Sequence, residues 1–220
     1  MKLFVWDLHG TLEQGNDKAV VDVSNRVLAE HGRSERFTYE DGAKLYGSRW
    51  YEYFAWLLPQ ESYETWSRLQ DDCFRTSERD IALQCKWLRP TDHAIDVLSR
   101  IAEHEEWHQI LVSNTRVANL KIFVDVLGLT SFFPDGARFA VDGHTLDGPV
   151  TKRDVVRTYL EGKRIQDLVF VGDSPSDMRL TEIAGGTSYL YSHDEFPFRA
   201  CEADYKIRDL REILKGCQRR

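Results

Sequence analysis

The sequence has little of several features that would place it in a specialised class. Its 4 cysteines show no C-x-x-C spacing, so neither a zinc site nor a disulfide framework is predicted. No hydrophobic run approaches the roughly 20 residues that a membrane-spanning helix needs. The first apolar run is also too short for a signal peptide. We therefore expect a cytoplasmic protein without a membrane segment.

Positive charge is outnumbered by negative charge. The 36 acidic residues outnumber the 29 basic ones, and no basic run occurs beyond Arg219 and Arg220 at the end of the chain. This pattern does not indicate a nucleic-acid-binding surface. With 42% hydrophobic residues, the 220-residue chain has enough apolar material for one sizeable domain, or for a domain with a smaller partner.

The stretch that organises the sequence lies near its beginning. Leu3 to Trp6 form an apolar run, which is typical of a strand buried on both faces of a parallel sheet. The run ends at Asp7, and Gly10 and Thr11 then turn the chain. Because open α/β sheets bind ligands at the carboxyl ends of their strands, Asp7 is a candidate site residue. A simple Asp-containing turn explains this stretch alone equally well.

Beyond this strand the sequence divides into two regions. Residues 15–89 are rich in aromatic and charged residues and predict amphipathic helices, one beginning at Thr38 with Asp41 and another at Pro59. From residue 90 to residue 220, strands alternate with helices, the first of which Thr91 would cap. This alternation predicts a parallel sheet with helices on both faces. We therefore predict an α/β catalytic core of residues 1–14 and 90–220, with an inserted helical domain of residues 15–89.

Polar side chains follow three of the predicted strands. They are Asp7 after the first strand, Ser113 and Asn114 after a second, and Asp173 and Asp177 after a later one. Because the carboxyl ends of parallel strands share one edge, we expect these groups to converge there. Lys152, at the start of a predicted helix, is a further candidate. The three carboxylates would repel one another unless a cation neutralised them, and hard oxygen ligands favour Mg²⁺.

This set of residues, in this order, resembles the motifs of the haloacid dehalogenase-like hydrolase superfamily. Asp7-Leu8-His9-Gly10-Thr11 is similar to its first motif, Asp-x-Asp-Gly-Thr, with one departure at His9. Ser113 matches the second motif, and Lys152 best matches the basic residue of the third. The segment Gly172 to Asp177 matches the fourth, Gly-Asp-x-x-x-Asp, in full. The resemblance covers nearly the whole chain and implies a Rossmann-like core with a helical cap of the family's first type.

The resemblance also implies an activity, that of a Mg²⁺-dependent phosphatase acting on a small phosphorylated metabolite. Asp7 would attack phosphorus and become an aspartyl phosphate. The metal ligands would be Asp7, the backbone carbonyl of His9, Asp173 and, directly or close behind, Asp177. The phosphate would be bound by Ser113, Asn114 and Lys152, with Arg153 as the alternative to Lys152.

His9 stands where the family's phosphatases carry a second Asp, which protonates the leaving oxygen and later activates water. An imidazole suits both steps at neutral pH. The alternative is that turnover is lost and the protein only binds a phosphorylated ligand. Dehalogenases usually carry Tyr at this position, and phosphonatases carry a small residue together with a Lys early in the cap. The intact Asp173 and Asp177 pair and the absence of Lys in the stretch from Gly47 to Tyr51 make both of these minor alternatives.

Two segments of the sequence remain open to more than one interpretation. Gly47-Ser48-Arg49 resembles the specificity loop of the cap, where Arg49 would hold an anionic group of the substrate, but a plain turn with a solvent-facing Arg is equally consistent. His104 to His108 matches the zincin pattern H-E-x-x-H. That segment falls at a predicted helix end, so we do not expect its two histidines to share a helix face.

Overall fold

A computed structural model describes residues 1–141, 150–194 and 196–217 of the protein, so the pair Arg219 and Arg220 lies outside the described residues. Contacts divide the chain into a core unit, Met1–Gln14 with Arg89–Arg220, and an inserted unit, Gly15–Leu88. Within the core unit, β2 (Glu13–Gln14) and β3 (Arg89–Pro90) form an antiparallel ribbon. The chain therefore leaves the core unit and re-enters it through two paired strands.

The first strand of the chain lies inside a six-stranded parallel sheet. β1 (Lys2–Trp6) pairs with β4 (Trp107–Ser113) on one side and with β6 (Asp167–Gly172) on the other. The strand order is β5 (Arg138–Ala140), β4, β1, β6, β7 (Thr187–Tyr191) and β8 (Tyr205–Ile207). The parallel α/β sheet that the alternating pattern predicts and the Rossmann-like core that the family resemblance implies are both confirmed.

The apolar run of β1 is buried on both faces of this sheet. Leu3, Phe4 and Trp6 are completely inaccessible to solvent, and Val5 is nearly so. Leu3 and Val5 pack in a cluster with Phe170 of β6. A strand with cover on both faces needs no polar residues in alternate positions, so the continuous apolar run follows from its central place in the sheet.

Six helices are described in the core unit: α6 (Ala94–Ala102), α7 (Val117–Val126), α8 (Lys152–Leu160), α9 (Pro175–Met178), α10 (Thr181–Ala184) and α11 (Glu212–Cys217). The predicted cap of α6 by Thr91 is wrong. The helix begins at Ala94, after His93 in a left-handed conformation, because the Thr91 carbonyl accepts a turn hydrogen bond from the Ala94 amide.

The described part of the inserted unit is helical, as its composition predicts: α1 (Asn16–Glu30), α2 (Tyr39–Leu45), α3 (Trp50–Leu57), α4 (Tyr63–Arg79) and α5 (Ile81–Cys85). The predicted start at Thr38 and Asp41 is confirmed as a capping box. The predicted start at Pro59 is wrong, since α4 begins at Tyr63, where Ser62 supplies the side-chain cap.

Several aromatic residues of the inserted unit form part of its core, whereas others, such as Trp56 and Tyr63, are exposed. Trp50, Tyr53 and Phe54 are buried in one apolar cluster, and the Trp50 indole donates a hydrogen bond to Ser24 over 2.7 Å.

In the described ranges, none of the helices combines the length and the hydropathy that crossing a membrane demands.

The zincin-like segment does not form a metal-binding helix. His104 lies after the end of α6, and His108 belongs to strand β4. Two histidines of an H-E-x-x-H motif need successive turns of one helix to face the same metal. The segment therefore carries no zincin chemistry.

Candidate active site

Three carboxylates meet at the carboxyl edge of the central strands. Asp7 follows β1, and its amide donates to the Val171 carbonyl over 2.9 Å, which continues the pairing of β1 with β6. Asp173 follows β6 directly, and Asp177 lies in α9. One oxygen from each of the three carboxylates lies within 4.8 Å of the other two. The structure thus brings together the three acids singled out in the sequence.

Gly172 and Ser174 determine where Asp177 lies. A Cβ atom on Gly172 would come within 2.3 Å of the Asp177 Cβ, so only glycine leaves room for that side chain. The Ser174 hydroxyl donates to Oδ2 of Asp177 over 2.5 Å, and the Ser174 amide donates to the same oxygen over 3.2 Å. These contacts form a capping box at the start of α9 and leave the other oxygen, Oδ1, for the cluster.

Lys152 lies inside the cluster of acids. Its ammonium is 2.7 Å from Oδ1 of Asp7 and 2.6 Å from Oδ1 of Asp177, and its side chain is only 5% exposed. Thr151, the residue before α8, forms a capping box with Asp154. Lys152 is therefore the first residue of the helix. Arg153, the alternative basic residue, instead forms an exposed ion pair with Glu182.

The charges in this cluster shift one another's titration. Burial on its own would lower the pKa of Lys152, but the carboxylates of Asp177 and Asp7 raise it above its ordinary value. Burial also raises the pKa of Asp7, an effect that the Lys152 ammonium opposes and the Asp177 carboxylate reinforces. Burial and the charge of Asp7 together raise the pKa of Asp173 to about 8. Burial is the largest cause of the raised pKa of both Asp7 and Asp173, so the charged forms of these acids are disfavoured unless a cation compensates them.

A divalent cation fits this arrangement. Three carboxylates with close oxygen atoms are a donor set for a hard cation, and such a cation would supply the charge compensation that Asp7 and Asp173 lack. Part of that compensation comes from Arg199, whose guanidinium lies 3.1 Å from Oδ2 of Asp173. Arg199 is a residue that motif analysis missed, and its place between β7 and β8 gives no local signal in the sequence.

Two buried hydroxyl groups lie at or next to the ends of the site strands. Ser113, the last residue of β4, and Thr11, in the turn after β1, are completely inaccessible, and their hydroxyl oxygens have no hydrogen-bond partner within the described ranges. A buried hydroxyl without a partner is uncommon in proteins and suits a group that contacts a ligand. Asn114, the other predicted phosphate ligand, is exposed.

His9 has a carboxylate partner that sequence analysis also missed. Nδ1 of His9 lies 2.7 Å from Oε2 of Glu13, whose side chain is completely buried. The ring of Phe123 packs edge-on against the imidazole at 5.2 Å between centroids. The signal for this pair was the position of an acid four residues after His9, directly behind the apolar Leu12.

The two predicted substrate residues of the insert lie in one exposed turn. Gly47 has a φ of 85°, a left-handed conformation that favours glycine. Arg49 is exposed and precedes α3, and its backbone amide donates to Glu52 over 2.6 Å. The role of both residues in substrate recognition remains a prediction.

Comparison with known sequences assigns the family. The sequence model of the haloacid dehalogenase-like hydrolases matches residues 4–182, a range that includes every residue of the core-unit site except Arg199. The protein therefore belongs to the haloacid dehalogenase-like hydrolase family, as the four motifs predicted. A search of curated proteins gives no match.

Solved structures with the same fold cover the chain almost completely. A predicted phosphoglycolate phosphatase from Haemophilus somnus superposes with a TM-score of 0.75 at 17% identity, covering 98% of this chain and 97% of its own. A predicted phosphatase from Clostridium acetobutylicum has a TM-score of 0.70 at 20% identity, with coverage of 99% and 98%. A haloacid dehalogenase-like family hydrolase from Streptococcus pneumoniae has a TM-score of 0.72 at 14% identity, with 98% coverage of both chains. At these identities the likeness establishes the fold alone.

Proposed function

We propose that this hydrolase is a Mg²⁺-dependent phosphatase of small phosphorylated metabolites that works through an aspartyl phosphate on Asp7. The observation that carries the proposal is the position of Lys152 between Asp7 and Asp177, within 2.7 Å of both carboxylates. A nucleophile, a fixed cation and further acidic ligands then share one buried cluster. Such preorganised charge stabilises a transferring phosphoryl group because nothing has to reorganise during the reaction.

In the first step, a carboxylate oxygen of Asp7 attacks phosphorus. The new bond joins this oxygen to phosphorus while the bond from phosphorus to the leaving oxygen breaks, and His9 gives the leaving oxygen its proton. In the second step, His9 takes a proton from water, and the water oxygen attacks phosphorus. The bond between phosphorus and Asp7 breaks, which releases inorganic phosphate and restores the free carboxylate.

The remaining predicted residues bind rather than react. Lys152, the hydroxyl of Ser113 and the amide of Asn114 would hold the phosphate oxygens. Asp7, the His9 carbonyl, Asp173 and Asp177 would hold Mg²⁺, which would supply further positive charge against the phosphate. The inserted unit would act as a cap of the first type, with Gly47 and Arg49 in its specificity loop.

The test is phosphate release from a panel of small phosphomonoesters, measured with Mg²⁺ and with a chelator. The wild type is compared with Asp7→Asn and with Asp167→Asn, a control in which the acid lies at the opposite end of β6 and is exposed. We expect release that requires Mg²⁺, disappears in Asp7→Asn and persists in Asp167→Asn. Release that persists in the chelator would contradict the Mg²⁺ requirement, and no release from any panel member would favour a protein that only binds its ligand or a dehalogenase-type reaction.

A protein that binds a phosphorylated ligand without turnover is the second candidate, because His9 replaces the acid/base Asp. Its signature is binding of panel members without release of phosphate, together with a large gain of turnover in His9→Asp. If the imidazole is the working acid and base, His9→Asp lowers turnover instead.

A further inference from the structure

Glu13 is a buried acid at a position where its charge needs compensation. Its side chain is completely inaccessible, and its Oε2 lies 2.7 Å from Nδ1 of His9. Isolating a carboxylate from water is unfavourable unless hydrogen bonds or an opposite charge compensate. The contact with the imidazole is such a compensation, and it acts on His9 in turn.

The backbone fixes the relative positions of these two residues. The Gly10 amide donates to the Glu13 carbonyl over 3.1 Å, and the Glu13 amide donates to the Leu8 carbonyl over 3.0 Å. Glu13 is also paired with Pro90 in the antiparallel ribbon. The carboxylate is therefore held by a closed turn and a strand, and its place does not depend on a flexible loop.

A second element restrains the imidazole. Phe123 of α7 packs against the ring at an interplanar angle of 76°. The His9 side chain is 20% exposed, so the ring is held on these sides without being enclosed. A ring with one nitrogen in a short hydrogen bond and an aromatic neighbour has a defined orientation.

We propose that Glu13 is a positioning residue that sets the orientation and the tautomer of His9. The proposal rests on the phosphatase reaction proposed above. A carboxylate only accepts hydrogen bonds, so the Nδ1 atom facing it carries hydrogen. Nε2 is then the nitrogen left to exchange the proton with the leaving oxygen and with water, as in the carboxylate–imidazole pairs of acyl hydrolases.

The pair also accounts for the departure from Asp at position 9. An aspartate there would place a second carboxylate beside the buried Glu13, and neighbouring carboxylates repel each other in a buried site. His9 therefore suits a site that contains Glu13, because the imidazole binds the carboxylate that an aspartate at position 9 would repel. If Glu13 had only a structural role, its removal would lower turnover whichever residue stands at position 9. If it positions His9, the effect of its removal depends on that residue.

The first experiment measures turnover of two Glu13 variants in two backgrounds. Glu13→Gln keeps an accepting oxygen, whereas Glu13→Leu removes it and keeps an apolar side chain in a buried place. With His9 present, we expect kcat to fall in the order wild type, Gln, Leu, with a loss of about 10²-fold or more for Leu and little change in KM. In the His9→Asp background, Glu13→Leu should instead raise kcat, because it removes the repulsion.

A loss of turnover in both backgrounds would overturn the proposal and leave Glu13 as a structural residue. Melting temperatures of all the variants show whether each one folds. If the Leu variant does not fold, the comparison of wild type with Glu13→Gln and the spectroscopic measurement on the wild type still decide.

The second experiment does not depend on turnover. The ¹⁵N resonances of the His9 ring, assigned by their absence in His9→Gln, report which nitrogen carries hydrogen. We expect hydrogen on Nδ1 in the wild type and a return toward the Nε2–H form in Glu13→Leu. Hydrogen on Nε2 alone in the wild type would overturn the proposal. If the wild type hydrolyses no phosphomonoester but shows the Nδ1–H form, the phosphatase function fails while the positioning of His9 by Glu13 stands.

Discussion

Arg199 lies 3.1 Å from Asp173, measured from Nη2 to Oδ2, and so neutralises part of one proposed metal ligand. The guanidinium lowers the pKa of Asp173, but burial and the charge of Asp7 outweigh it and raise that pKa to about 8. A cation that binds Asp173 has to compete with Arg199 for the same carboxylate. In the proposed metal site, the strength of binding would therefore depend on a residue outside the four motifs.

Replacing Arg199 with Gln should tighten Mg²⁺ binding, because the competing charge is gone. The side chain is 32% exposed, so we expect a modest effect, about twofold to fivefold in Kd, which corresponds to about 0.5–1 kcal/mol. Calorimetric titration with Mg²⁺ measures it directly. Arg211→Gln removes an arginine that pairs with Asp209 at the surface and should leave Kd unchanged. Weaker Mg²⁺ binding in Arg199→Gln would mean that Arg199 supports the ligand set.

The raised pKa of Asp173 also makes stability depend on pH. Burial raises the pKa of Asp173 to about 8 in the folded metal-free protein, whereas in the unfolded chain this carboxyl has its ordinary pKa of 3.8. Between these values the folded state binds more protons, so its stability falls as the pH rises. Asp173→Asn removes this loss, because its side chain does not ionise.

We therefore expect metal-free Asp173→Asn to melt higher than the wild type at pH 8, with a difference that shrinks toward pH 5. An increase of about 2–4 °C in Tm corresponds to about 1 kcal/mol for a chain of this length. Thermal unfolding in a chelator at three pH values measures both curves. Parallel curves would show that Asp173 ionises normally in the folded protein. Ionisation of Asp173 would then not lower the stability of the folded protein.

The parts of the fold that could be predicted depend on local signals. The apolar run from Leu3 to Trp6 predicts a central strand because burial on both faces leaves no polar position. Thr38 with Asp41 predicts a helix start because its two hydrogen bonds join residues three apart in sequence. The candidate acids were found in the same way, since each follows an apolar strand.

Where the prediction was wrong or incomplete, the residues concerned make contacts that are distant in sequence. Thr91 looks like a helix cap, but its amide donates to the remote Leu12 carbonyl while its carbonyl accepts from the Ala94 amide in a turn, and the helix starts after that turn. The pairing of Arg199 with Asp173 joins residues 26 positions apart through the loop after β7. Glu13 was within reach of His9 in sequence, yet its complete burial follows from the ribbon with β3, which no local pattern reveals.

Lys152 and Arg153 provide a test of which basic residue serves the site. Lys152→Met leaves Asp7 and Asp177 without their shared cation, and we expect turnover to fall by about 10²–10³-fold. Loss of one partner of a buried ion pair also lowers stability by about 3–5 kcal/mol, so folding is checked by Tm, and Mg²⁺ is present throughout. Arg153→Met, one residue away, removes only an exposed pair with Glu182 and should retain nearly full activity. The opposite ranking would assign the phosphate-binding role to Arg153.

Gly172 tests whether the position of Asp177 matters for the metal. A Cβ atom at residue 172 would lie 2.3 Å from the Asp177 Cβ and 2.5 Å from its Oδ2, so Gly172→Ala must displace that side chain. We expect a loss of about 1–3 kcal/mol in stability and weaker Mg²⁺ binding by calorimetry. Gly162→Ala is the matched control, because its φ of 72° makes alanine strained while no atom lies near the added Cβ. Both variants should melt lower, but only Gly172→Ala should bind Mg²⁺ less tightly; equal affinities would mean that Asp177 lies outside the ligand set.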